Sequence, residues 1–349
     1  MSRPVSTFAA LALASSLLAC QPTAIEHPDP PGRIRLSFFA FGDTGVVPNS
    51  IGRSLQTQMR VAKVVEAEQR RRPADALVLL GDNFYPDGLR EVELAARVRE
   101  NIVRPYCVFL ALDGPASPNV ADACEPERRG ERPVPLYAVL GNHDVELPES
   151  PKLQREAIPR FVPNWHMPSS SVETVELADA DLVPSVSLIL YDAHTLADEG
   201  DSASLERALR EARGPWRILA GHYPINGGHP GPWIRKTLDA IDVPVHLHIS
   251  GHEHNMQVGV PPAGDPFLNI IVGSGASSRP VRRPLPGSRF ELVQPGFARV
   301  DLVGDGDAAR LVVTMVALPI SSIEFWTPPR VVQRWSVGLA GDVRDELHE

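Results

Sequence analysis

The chain has 349 residues, a net charge of −9 and 43% apolar residues. That length holds one large domain or two small ones, and the apolar share is ordinary for a globular protein. The acidic balance argues against a nucleic-acid backbone as the main partner, but not against a small anionic substrate, because the charge of a bound metal outweighs the global field locally.

Residues 1–19 read as a targeting segment. Arg3 supplies a positive start, and Phe8–Ala19 is apolar but too short to span a bilayer comfortably. The stretch ends in Leu17-Leu18-Ala19-Cys20. That ending resembles the lipobox of bacterial lipoproteins, which implies acylation of Cys20 and a periplasmic or outer-membrane protein held to the membrane by lipid alone. A plain secretory signal, giving a soluble secreted protein, is the alternative. Residues 20–33 are rich in Pro and read as a flexible tether. Export places the remaining thiols in an oxidising compartment. Cys107 and Cys124 flank a loop rich in Pro, Gly and Asp and are the expected disulfide.

Strands and helices then alternate. Ile34–Phe41 reads as a strand, Ser50–Arg72 as a helix stopped by Pro73, and Ala76–Leu80 as a strand. The run Arg70–Arg72 reads as a solvated helix end. A helix is expected over Leu89–Val103, ending near Pro105, and a strand over Leu136–Leu140. Strands at Ser187–Tyr191 and Arg217–Ala220 bracket a helix at Ala203–Ala212. Trp233–Ile241 is helical in spacing and Val245–Ser250 is a strand. Later apolar runs at Phe267–Val272, Phe297–Val303 and Ala309–Val316 lack long helices between them and read as a strand-rich second half. The domain is drawn over residues 34–320, leaving 321–349 as a C-terminal tail without an assigned role.

Five motifs carry chemistry: G-D-T-G at Asp43, G-D-N-F-Y at Asp82 and Tyr85, G-N-H-D at Asn142 and His143, G-H-Y-P at His222, and G-H-E-H at His252 and His254. Most follow a short apolar run, so their polar side chains fall just past strand ends, where α/β sheets place their sites. Alone, Asp43 reads as a turn former and Asp82 as a cap of the next helix, whereas G-N-H-D is rarer and G-H-E-H after a buried strand is a stronger signal. Together they supply enough oxygen and imidazole donors for two adjacent metal ions, the arrangement that activates a water and clamps a phosphoryl group.

The stretches FGDTG, LLGDNFYPDG, YAVLGNHD, LAGHYPI, SGHEHNMQ and IVGSGA resemble the calcineurin-like metallophosphoesterases, and more closely the small, tartrate-resistant purple acid phosphatases. Tyr85, three residues after Asp82, is the discriminating position, because a tyrosinate ligand marks the purple enzymes. The resemblance implies an α/β (α+β) fold, a four-layer sandwich of two mixed β-sheets flanked by helices. It implies Fe(III) on Asp43, Asp82, Tyr85 and His254, with Asp82 bridging to a divalent Fe, Zn or Mn on Asn142, His222 and His252. Carboxylate and phenolate suit a hard trivalent ion, and imidazole and amide suit a divalent one. Three anionic ligands leave such a pair net positive even with a bound hydroxide, so a phosphate anion is attracted. The implied activity is phosphomonoester hydrolysis by hydroxide generated at the metals, with His143 binding phosphate and assisting the leaving group. Asp144 is a candidate to orient His143. His229 is similar to a second substrate-facing His of the small purple enzymes, in a shorter loop.

Phosphodiester, nucleotide or pyrophosphate hydrolysis at the same site is the alternative activity, and a non-catalytic metal-binding surface lipoprotein is the alternative class. Pocket walls are expected from the loops Asp113–Glu131 and Ser169–Pro184. His246 and His248 read as satisfied core histidines, and His166 as structural.

Overall fold

The computed structural model describes residues 25, 28–46, 53–179, 183–225, 227–260, 267–320 and 327–348. Cys20 and the apolar stretch before it lie outside them.

Two mixed sheets face each other. The first has eight strands in the order β15-β14-β13-β12-β1-β2-β3-β4. These are β1 (Ile34–Phe41), β2 (Ala76–Leu79), β3 (Leu136–Ala138), β4 (Trp165–His166), β12 (Gly296–Val303), β13 (Arg310–Ala317), β14 (Arg330–Gly338) and β15 (Val343–Asp345). β1 to β4 run parallel, and β12 to β15 continue antiparallel from β1. The second sheet has seven strands in the order β11-β9-β10-β8-β7-β6-β5. They are β5 (Val172–Ala178), β6 (Pro184–Tyr191), β7 (Trp216–Ala220), β8 (Leu247–Ser250), β9 (Met256–Gly259), β10 (Leu268–Val272) and β11 (Ser288–Leu292). β6, β7, β8 and β10 are mutually parallel.

Side chains alternate across a strand, so each sheet buries two faces. Phe38, Ala40, Val300 and Met315 of the first sheet share one buried cluster with Leu188, Ile218, Leu247 and Ile270 of the second. The outer face of the first sheet carries Phe39, Phe41 and Phe297 against Tyr106 and Phe109 of the helical run. The outer face of the second sheet packs Ile189, Tyr191 and Leu219 against helices Ala193–Glu199, Ser202–Glu211 and Gly231–Ala240. This is the four-layer sandwich with helices outside.

Local sequence explains the helices. Gln58, Val61, Ala62, Val65, Glu68 and Gln69 of the helix Arg53–Arg71 are buried at helical spacing. Pro73 stops it, and Gln69 closes the turn by accepting from the Ala74 N–H at 2.8 Å. The second helical run passes Pro105 through a wider turn at Arg99–Val103. Pro105 cannot donate to the Asn101 carbonyl four residues back, and the Gln58 amide reaches that carbonyl at 3.4 Å. Cys107 and Cys124 are joined by a disulfide.

Several expectations need correction. The stretch read as a C-terminal tail carries two strands of the first sheet: β14 pairs along the whole of β13, and β15 pairs with β14. Hydropathy hid β14 because Gln333, Arg334 and Ser336 interrupt its apolar residues while remaining buried. The last part of the tether is docked, not flexible. Asp29 pairs with both terminal nitrogens of Arg71 at 2.8 and 2.9 Å, and the Pro28 carbonyl accepts from Arg334 at 2.7 Å. Arg72 is not a solvated helix end, because both its Nη atoms meet the buried carboxylate of Asp301, at 3.1 and 3.0 Å. The presumed loop Ser169–Pro184 contains β5, paired along β6. Gly130 and Glu131 of the other presumed wall line a cavity with Pro73, Ala74 and Val134, at the strand ends opposite the motifs.

Removing residues 321–349 strips β14 and β15 and bares the full edge of β13, an aggregation-prone template. The truncated protein should be recovered aggregated or without a cooperative thermal transition. Size-exclusion chromatography and circular dichroism check this. A monomer melting at the wild-type temperature would place β14 outside the cooperative unit.

Candidate metal centre

Each motif sits beyond the C-terminal end of a parallel strand. Asp43 follows β1, Asp82 follows β2, and Asn142 and His143 follow β3 in the first sheet. His222 follows β7, and His252 and His254 follow β8 in the second. The two sheets are bonded at this end. Gly42 N–H donates to the Val272 carbonyl at 2.9 Å, and Gly275 N–H donates back to Gly42 at 3.1 Å.

Four of these residues have left-handed backbone: Asp43 (φ 61°), Asp82 (φ 53°), His252 (φ 70°) and His254 (φ 48°). Non-glycine residues pay strain there, and such strain concentrates at functional sites. Small neighbours make room. A Cβ on Gly141 would lie 2.2 Å from Asp82 Oδ1, and one on Gly273 would lie 2.6 Å from Asp43 Oδ2.

The donors form two adjoining groups. In the first, the Tyr85 hydroxyl stands 2.7 Å from Asp82 Oδ2, 3.1 Å from Asp43 Oδ1 and 3.0 Å from His254 Nε2. Donor atoms of Asp43, Asp82 and His254 all lie within 4.8 Å of one another. In the second, His222 Nε2 is 3.2 Å from Asn142 Oδ1 and 3.2 Å from His252 Nδ1, and His252 Nδ1 is 3.0 Å from Asn142 Oδ1. Asp82 joins the groups, with Oδ2 on Tyr85 and Oδ1 3.5 Å from His222 Nε2.

Neighbouring groups fix the orientations. His222 Nδ1–H donates to the Leu80 carbonyl at 2.8 Å, which leaves a lone pair on Nε2. His254 Nδ1 meets Ser277 Oγ at 2.5 Å. Backbone N–H groups of His252 and His143 donate to Asp43 Oδ2 at 2.9 Å and Asp82 Oδ1 at 3.0 Å. Asp144 is buried and accepts from the N–H groups of Asn83, Phe84 and Gly141 and from the Gln154 amide. It therefore ties the loop after β2 to the loop after β3 and does not orient His143.

The electrostatics suit cations. Burial raises Asp43, but His254, His222 and His252 outweigh it and hold its pKa below the usual carboxylate range. Burial, then Asp43 and Asp82, push the Tyr85 phenol well above its ordinary value. Burial opposes charge on His222, yet Asp82 and Asp43 raise it, while burial and His222 hold His252 down to about 3. Asn142 Oδ1, His222 Nε2 and His252 Nδ1 thus crowd within 3.2 Å of one another, and Tyr85 ionises only if positive charge is added. A pair of metal ions resolves both conflicts, so the donor set fits them.

His143 stands beside this set, not in it. Its Nδ1 donates to the Pro86 carbonyl, and its ring lies 4.5 Å from the Tyr85 ring. Nε2 has no protein hydrogen bond among the described residues. His229 is not brought to the donors. It is exposed, pairs with Asp198 at 3.0 Å, and lies behind His194 and Tyr223. His248 is a core residue bonded to the Tyr191 hydroxyl and to Asn269, His246 bonds the Arg217 N–H, and His166 pairs with Glu173. Sequence reasoning missed Tyr223, whose ring lies 4.7 Å from His252 and 5.1 Å from His222. It also missed Ser277. Their only signals were adjacency to His222 and the small-residue run after β10.

A fold that gathers these donors at the joined ends of two sheets defines a metal-dependent phosphoester hydrolase. The chain belongs to the calcineurin-like phosphoesterase family, whose model matches residues 36–256. It is 25% identical over 248 residues to human (Homo sapiens) tartrate-resistant acid phosphatase type 5, covering 64% of this chain and 68% of that protein. The pig (Sus scrofa) protein of the same name is 24% identical over 274 residues, 72% of each chain. Among solved structures, GAP50, the anchor in the inner membrane complex of Plasmodium, superposes with a TM-score of 0.58 at 21% identity, covering 82% of this chain and 85% of that one. These purple acid phosphatase homologues imply a binuclear metal centre.

Gly141→Ala should displace the Asp82 carboxylate and lower metal content while leaving the far-UV circular dichroism unchanged. Elemental analysis of purified protein checks this. Full metal occupancy in the variant would mean that Asp82 does not join the two groups.

Proposed function

We propose that this protein is an exported, lipid-anchored phosphatase of the purple acid type that hydrolyses small phosphomonoesters. The convergence of Tyr85 on Asp43, Asp82 and His254 carries this reading, because it adds a phenolate donor to one half of a two-metal site. Asp43, Asp82, Tyr85 and His254 would hold Fe(III). Asp82, Asn142, His222 and His252 would hold divalent Fe, Zn or Mn. The bound ions supply an activated water and positive charge against the phosphoryl oxygens.

The chain's own residues do the rest. Leu80 and Ser277 hold His222 and His254 in the rotations that aim their Nε2 atoms inward. The Pro86 carbonyl fixes His143 by Nδ1 and leaves Nε2 for substrate. When protonated, His143 donates from Nε2 to a phosphoryl oxygen and then gives that proton to the leaving alcohol. Tyr223 covers His222 and His252 on one side and limits the water reaching them.

His143→Ala should keep both metals and lose about 10²–10⁴ in turnover of an aryl phosphate. Steady-state kinetics with parallel metal analysis test it, and an emptied site would make His143 a ligand instead. Tyr85→Phe should abolish the violet colour that phenolate gives to ferric iron. A colourless wild type with full iron would sink the tyrosinate assignment.

The anchor is the second part of the reading, supported by the Leu-Leu-Ala-Cys ending. Several acyl chains give stable membrane attachment where one gives only marginal binding. Wild-type protein should fractionate with membranes, and Cys20→Ser should not carry lipid. Wild-type protein found wholly soluble, with an unmodified N-terminus, would replace the anchor with a plain secretory signal.

A further inference from the structure

The rim of the centre carries charge that the donor set does not use. Arg279, Arg282 and Arg283 fall within the run Ser278–Pro284, and all three are exposed. The run is pinned to the centre at its start. Ser277 Oγ meets His254 Nδ1, and the Arg279 N–H donates to the His254 carbonyl at 2.8 Å. It is pinned again at its end, where Leu285 is buried and its N–H donates to Gln257 Oε1 at 2.9 Å. Between these ties Arg283 extends toward the loop after His222. A Cβ on Gly228, in the loop that carries His229, would lie 3.0 Å from Arg283 Nη1. Glu253, half-buried between His252 and His254, has Arg283 and Arg282 as its guanidinium neighbours. Arg279, Arg282 and Arg283 concentrate positive charge in one short run of a chain of net charge −9.

A guanidinium fork matches phosphate oxygens in pairs, which an ammonium does not. We propose that Arg282 and Arg283 form a second anion subsite beside the metal centre and select phosphomonoesters whose leaving alcohol carries a phosphate of its own. This rests on the phosphatase reading. In the step itself, the oxygen of water bonds to the scissile phosphorus and the ester P–O bond breaks. The leaving alcohol oxygen takes a proton, and orthophosphate is released. The second phosphate stays on the alcohol and on the arginines, and nothing is oxidised or reduced.

The test compares fructose 1,6-bisphosphate with fructose 6-phosphate on the full-length, metal-loaded enzyme. Wild type should prefer the bisphosphate. Arg282→Gln with Arg283→Gln should raise KM for the bisphosphate about tenfold or more, the scale of one lost charge-assisted contact. Its kcat and both constants for the monophosphate should stay within about twofold. Lys at both positions should keep part of the preference, because the charge remains while the fork is lost. Calorimetry with propane-1,3-bisphosphonate and methylphosphonate gives a readout independent of turnover. Wild type should bind the bisphosphonate about tenfold more tightly, and the Gln variant should not. Equal loss for both substrates, or no change in either measurement, overturns the subsite. Absence of any turnover in wild type would instead overturn the phosphatase reading, and the bisphosphonate comparison would still decide the subsite.

Discussion

Everything at the centre depends on holding two separate sheets in register at one edge. Asp43, Asp82 and Asn142 come from the first sheet, and His222, His252 and His254 from the second. The bond from His222 Nδ1–H to the Leu80 carbonyl crosses that boundary, as do the bonds between Gly42, Val272 and Gly275. A slip of one residue in either sheet would turn every side chain to its other face. Buried apolar clusters on both faces of both sheets make such a slip costly. The core thus fixes donor spacing far more firmly than contacts among the donors could.

Asp144 shows the same logic on a smaller scale. A buried carboxylate is expensive unless donors surround it. Burial and the nearby Asp82 push it up to about 7, while N–H groups of Gly141 and Asn83 and the Gln154 amide work in the other direction. The Asn83 and Gly141 N–H groups belong to the loops after β2 and β3, which carry Asp82 and Asn142. Satisfying Asp144 therefore positions the donors on either side of it. The left-handed backbone at Asp82 is held next to the Asn83 N–H that Asp144 accepts.

Most of this architecture was legible in the sequence. Apolar runs ending in Gly-Asp, Gly-Asn-His or Gly-His mark parallel strands with polar ends, and those strands were found to within a few residues. What stayed hidden had mixed composition. β5 carries Glu173, Thr174 and Glu176 at the sheet edge, and β14 buries Gln333, Arg334 and Ser336 through hydrogen bonds. Hydropathy reads such strands as loops or tails. Arg72 was misread for a similar reason, since its partner Asp301 is more than two hundred residues away. The donor residues were readable because their motifs are local. His229 was not, because its surroundings depend on Asp198, His194 and a loop whose path its sequence does not dictate.

The position of β1 sets the order in which the chain can fold. Its first neighbour, β2, follows within about forty residues, but its other neighbour is β12, which begins at Gly296. During synthesis one long, apolar edge of β1 stays open until most of the chain has emerged, and the Pro28 carbonyl waits still longer for Arg334. Pairings so distant in sequence form slowly, and an open apolar edge recruits other chains meanwhile. Late closure of that edge is thus a property of the topology, separate from the chemistry of the donor set.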